Sequence, residues 1–191
     1  MANLSRLILI AVCCTAIAVP LIRQKLKVPL YLDALQNGVI LEATRRNTSP
    51  LFKNTKILLV NYSEQGAKGV VLNQSIESGL ARIQEATEYQ SAGEKSLQKV
   101  IAANADVANF FWGGPVASLS LYQVSYEPGR NAVTMSDTRN IVGRGNDVIV
   151  ANFAGFSGWA ASQLESEISR GDWQVYQVKP DKLVRWLAAN K

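Results

Sequence analysis

Beyond residue 27 the hydrophobic period switches repeatedly between two and 3.6, and that switching is the strongest constraint on the fold. Runs at 39–43, 56–61, 68–72, 109–112, 119–126, 132–135, 147–153 and 173–178 read as strands, several of them rich in β-branched and aromatic residues and bounded by Gly, Pro, Asn or Ser. Stretches at 77–88, 95–103, 158–170 and 181–189 read as helices, with a loop at 89–94. Glu127-Pro128-Gly129-Arg130 reads as a hairpin turn, which makes its flanking strands antiparallel neighbours. Interleaved strands and helices that include a hairpin predict an α+β fold with a mixed, largely antiparallel sheet, rather than a doubly wound parallel one. The best-marked helix is 158–170: Ser157 is placed to cap it, Ala160, Leu164 and Ile168 form a stripe, and Gly171 follows as a left-handed terminator.

The domain so outlined spans residues 28–191, enough chain to bury roughly 70% of its unfolded surface as one unit. Residues 1–27 are different in kind. Between Arg6 and the cluster Arg23, Lys25 and Lys27 lie sixteen residues, 7–22, without a charge. A helix of that length reaches about 24 Å, close to the ~30 Å hydrocarbon core once the flanking basic side chains snorkel. We read the segment as an uncleaved membrane anchor, because the positive charges that follow resist transfer across a bilayer. The competing reading is a secretory signal, favoured by the short apolar run and by the processing-site form Ala16-Ile17-Ala18, with export after cleavage near Ala18. A buried core helix is the third. Two positive charges before the run against three after it lean slightly toward a single-pass protein with a cytoplasmic domain. Cys13 and Cys14 lie inside the run as small apolar residues, and Val12 is too large for a lipid-attachment pattern.

Charge and composition then narrow the function. The chain carries 20 Lys+Arg against 15 Asp+Glu, a net charge of +5, but the four basic residues before position 28 have no acid among them, which leaves the domain at about +1. A nucleic-acid surface shows a basic stripe, and composition gives none. The sequence contains no histidine, so Ser-His-Asp and Cys-His sets, histidine zinc motifs and an imidazole pH switch are excluded. Gly143-Arg144-Gly145 precedes a strand and lacks the third glycine of a dinucleotide fingerprint, so it reads as a turn. Glu165 and Glu167 are two apart on a helix and point different ways, which reads as a solvated face. No cofactor and no metal set is expected.

Two junctions stand out. Phe110-Phe111-Trp112-Gly113-Gly114-Pro115-Val116 runs three aromatics into a turn that needs positive φ or close backbone approach, and its glycine amides suit an anion or simply a tight turn. Ala154-Gly155-Phe156-Ser157-Gly158-Trp159 is a strand-to-helix junction whose amides suit an anion or plain capping. Asn73, Gly113, Gly114, Ser157 and Gln163 are accordingly the candidate ligand or interaction cleft.

Four segments in order resemble the YqgE/AlgH family of bacterial proteins: residues 66–73 (GAKGVVLN), 113–116 (GGPV), 155–165 (GFSGWAASQLE) and 171–173 (GDW). The resemblance covers about residues 38–186, and the combination is specific although each piece alone is weak. It implies an α+β fold whose sheet splits and partly closes into a small barrel, flanked by helices. It implies little about activity: members are labelled transcriptional regulators on genetic grounds, and no catalytic residues carry over. Several departures matter. Tyr62 stands where the family commonly has histidine, a second histidine is missing near Ser125, and Gln74-Ser75 replaces an Arg-Pro pair. Residues 76–106 are longer than the pattern, and the apolar N-terminal segment is not typical of it.

The leading functional expectation is therefore a membrane-tethered, non-catalytic regulatory or interaction domain with an unidentified protein or small-molecule partner. The membrane is engaged through residues 7–22, and the flanking Arg6, Arg23, Lys25 and Lys27 suit anionic headgroups. One alternative is a nucleic-acid-binding regulator, which the near-neutral domain disfavours and which would need a patch from Arg139, Arg144 and Arg170. The other is an enzyme or small-ligand module using the five-residue cleft.

Overall fold

The run Ile57-Leu58-Leu59-Val60 is apolar at four successive positions, and all four side chains are buried. A strand with no polar side to offer must be covered on both faces. In the computed structural model, which describes residues 28–29, 35–87, 110–127, 132–138, 148–179 and 182–184, that strand lies near the middle of a sheet between two apolar layers. Ile57 and Leu59 point into a layer shared with Val39, Leu41, Val71, Trp112, Trp159, Leu164 and Trp173. Leu58 and Val60 point the other way, toward Ile40, Val70, Val124, Val133, Phe153 and Leu183.

The strands are β1 (Val28–Pro29), β2 (Val39–Ala43), β3 (Lys56–Ser63), β4 (Gly66–Val71), β5 (Phe110–Trp112), β6 (Val116–Glu127), β7 (Ala132–Asp137), β8 (Val148–Ala160) and β9 (Trp173–Gln177); the helices are α1 (Ile76–Thr87) and α2 (Gln163–Ser169). Their order across the sheet is β1-β9-β2-β3-β4-β8-β6-β7, with β5 also paired to β8. The pairings are antiparallel except β5 with β8, and β6 and β7 pair from Glu127↔Ala132 onward as the expected hairpin requires.

The structure thus has the mixed, largely antiparallel α+β sheet, but it corrects the partly closed barrel. The sheet is open, with β1 at one end and β7 at the other. It does curl: Val133 of β7 lies 4.0 Å from where a side chain on Gly38, just before β2, would begin. β7 thus approaches the start of β2 through a side chain and forms no ladder with it, so the curl encloses an apolar layer without closing.

The helix expected at 158–170 is also corrected. Residues 157–160 continue β8, paired with β4 from Gly69↔Ser157 to Gly66↔Ala160, and α2 begins only at Gln163. Pairing with β4 outweighs the helical stripe there, and Ser162, in the left-handed conformation at φ 60°, turns the chain into the helix. The terminator is as expected: Gly171 has φ 83°, its N–H bonds the carbonyl of Ile168 at 2.8 Å, and Asp172 N–H bonds that of Glu167 at 2.9 Å. The helix expected at 77–88 is α1, started by Ser75, whose hydroxyl accepts the Ser78 N–H at 3.2 Å. The 95–103 helix, the 143–145 turn and residues 7–22 lie outside the described residues. Of the 181–189 helix, residues 182–184 are described and are helical. Among the described residues no helix is long and apolar enough to cross a membrane.

Candidate functional site

Tyr62, Ala67 and Trp159 sit in register across β3, β4 and β8, so they share one face of the sheet. Trp173, the first residue of β9, reaches the same layer, and Phe52 arrives from the connection between β2 and β3. Phe52 stacks on Trp159 with centroids 6.4 Å apart, and the two indoles meet edge to face at 5.9 Å. Each ring buries apolar area, but each indole N–H is part-buried and needs an acceptor.

Glu167 supplies it. Its Oε2 accepts the Trp159 indole N–H at 2.9 Å and the Trp173 indole N–H at 2.8 Å, while Oε1 accepts the Gln163 side-chain amide at 2.9 Å. Two residues back and on another side of the helix, Glu165 accepts the Tyr62 hydroxyl at 2.6 Å. That hydrogen bond, then burial, then the nearby carboxylate charge push the Tyr62 pKa up to about 12 from 10.0. The reading of Glu165 and Glu167 as a solvated face is therefore corrected. They do point different ways, yet both point back to aromatic donors on the sheet, and together they fasten α2 to β3, β8 and β9. The sequence carried a signal: a short helix flanked by two tryptophans must satisfy two indole donors, and an i, i+4 Gln-Glu pair lay between them.

The Gly113-Gly114 turn occupies a different part of the sheet. Gly113 N–H donates to Ala154 O at 2.8 Å, and its carbonyl accepts Val71 N–H at 3.0 Å and the Ser157 hydroxyl at 3.3 Å. A Cβ on Gly113 would lie 2.2 Å from Gly155 O, so β5 and β8 meet at a distance that only glycine permits. Ser157 is fully buried. Among the five cleft candidates, Gly113, Gly114 and Ser157 are thus brought together, backbone against backbone.

The other two candidates bond elsewhere. Asn73 accepts Lys56 N–H at 2.8 Å and donates to Asn54 O at 2.9 Å, which ties the exit of β4 to the entry of β3. Gln163 accepts Ala160 N–H at 3.0 Å while donating to Glu167. Arg170, the described member of the three-arginine patch, is paired with Asp172 at 2.9 Å. Arg6, Arg23, Lys25 and Lys27 lie outside the described residues. No group of three or more Cys, Asp or Glu able to hold a metal occurs among the described residues.

A family model described as AlgH-like (DUF179) matches residues 40–190. A UPF0301 protein of Chlorobaculum tepidum is 27% identical over 166 residues, 79% of this chain and 80% of its own. A UPF0301 protein of Mycobacterium ulcerans is 29% identical, with 77% and 74% covered. The solution structure of the AlgH protein from Pseudomonas aeruginosa superposes with a TM-score of 0.51 at 24% identity over 80% of this chain and 85% of that one, a likeness of fold.

Proposed function

The chain belongs to the AlgH-like family, whose function is uncharacterised, and from that premise we propose that it is a non-catalytic interaction domain held at a membrane by residues 7–22. One observation carries the non-catalytic part. Five polar side chains in or beside the family-like segments are engaged with each other and with backbone: Asn73 with Asn54 and Lys56, Ser157 with Gly113, Gln163 and Glu167 with the indoles and Ala160, Glu165 with Tyr62. A reacting group must meet substrate, whereas these groups meet the fold. The surface left for recognition is then the outside of this framework.

The tether rests on the uncharged run and its basic flanks. Membrane fractionation of the full chain tests it. Wild type is expected to remain in the membrane fraction through high salt and alkaline carbonate and to be released by detergent. The double substitution Val12→Arg and Ile17→Arg is expected to move the protein to the soluble fraction. Wild type that stays soluble without detergent would overturn the tether.

A further inference from the structure

Given that tether, on which this inference rests, we infer which side of the domain meets the bilayer: the end of the sheet at the C-terminus of β9, presenting Lys179 and Lys182 to anionic lipid headgroups. The sheet order places β9 between β1 and β2, with Val28 of β1 and Val39 of β2 both opposite Gln177. From Val28, β1 runs antiparallel along β9 toward Tyr176, so the chain enters the sheet from the side on which β9 leaves it. Only five residues lie between Ile22 and Val28, six chain steps with a reach of about 20 Å. The opposite end of β9, where Trp173 faces Ala43, is a further strand length away.

Past Gln177 the chain makes one turn that fixes the two lysines. Lys182 N–H and Leu183 N–H both bond the carbonyl of Lys179, at 2.9 and 3.1 Å, and Leu183 is buried in the apolar layer under the curl. Lys179 and Lys182 are exposed and three apart. In sequence Arg23, Lys25 and Lys27 lead into Val28 and Asp181 lies between the pair, while the same end of the sheet carries Glu64, exposed in the turn between β3 and β4, and Glu165, bonded to Tyr62. The balance stays positive. Each added lysine near an anionic surface strengthens attraction about five-fold and acts within a Debye length, so the pair orients a domain that the tether has already brought close.

The test is lysine acylation footprinting of the full-length protein with neutral phosphatidylcholine vesicles and with vesicles containing one third phosphatidylglycerol, with sedimentation of the same samples. Lys53, in the connection at the far end of β9, is the internal reference. The expected result is sedimentation with both vesicles and at least three-fold slower acylation of Lys179 and Lys182 relative to Lys53 in the anionic vesicles alone, lost in high salt. Sedimentation with both but equal protection of all three lysines would overturn the orientation and leave the tether standing. Salt-reversible sedimentation with anionic vesicles alone would overturn the tether, and the same protection ratio would still decide the face. A protein that sediments with neither overturns both.

Discussion

On Glu167 three donors converge, two indoles and a primary amide on one carboxylate. Removing it strands the two indoles in a part-buried place, where an unmet donor costs about 1–3 kcal/mol, while the exposed Gln163 amide turns to water. Glu167→Leu is therefore expected to lower stability by about 3 kcal/mol, read as a fall in the urea midpoint, with tryptophan emission changing as the indoles lose their acceptor. The Tyr62–Glu165 bond gives a pH prediction. Its folded-state pKa lies above the unfolded value, so the folded chain holds a proton that the unfolded chain releases between pH 10.0 and about 12. Stability from this pair is complete below pH 10.0 and is lost as pH rises through that window. Tyrosinate absorbance should show one group ionising near pH 12 in wild type, absent in Tyr62→Phe and shifted back toward 10.0 in Glu165→Gln.

At the scale of elements, α1 shows local and tertiary demands meeting in one helix. Ser75→Ala removes its N-terminal cap and is expected to cost about 1 kcal/mol. Gly79→Ala sets two effects against each other. Alanine would gain up to about 1 kcal/mol of helix propensity, but its Cβ would lie 2.0 Å from Cγ of the fully buried Trp112. Overpacking of that kind costs about 1–3 kcal/mol or more, so the variant is expected to be less stable, measured by thermal unfolding. Most strands were legible because their residues are β-branched runs closed by turn formers, as β2 at Val39–Ala43 shows to the residue. The 158–170 segment differs from its helical reading because its Leu164–Ile168 spacing is helical while Ser157 to Ala160 answer to a partner strand, Gly66 to Gly69, far away in sequence. The same non-locality hid most of the carboxylate junction: helical spacing shows only the Gln163–Glu167 pair, while the other partners of Glu165 and Glu167 lie on β3, β8 and β9.

At the scale of the whole molecule, an open sheet with both faces buried leaves little polar surface inside that is not already bonded. The segments that resemble the family hold residues that permit this packing: Gly113 and Gly155 where strands touch, Asn73 where two strands turn, and Ser157 where a buried hydroxyl needs an acceptor. A site kept for chemistry behaves differently, since removing its poised polar groups commonly leaves stability unchanged or raises it. The central claim is therefore tested most directly by the urea midpoint of Asn73→Ala in the full chain, kept in mild detergent. Loss of the bonds to Lys56 and Asn54 predicts a fall of about 1–2 kcal/mol in unfolding free energy. A midpoint equal to or above that of wild type would contradict the account and return Asn73 to the candidates for ligand contact.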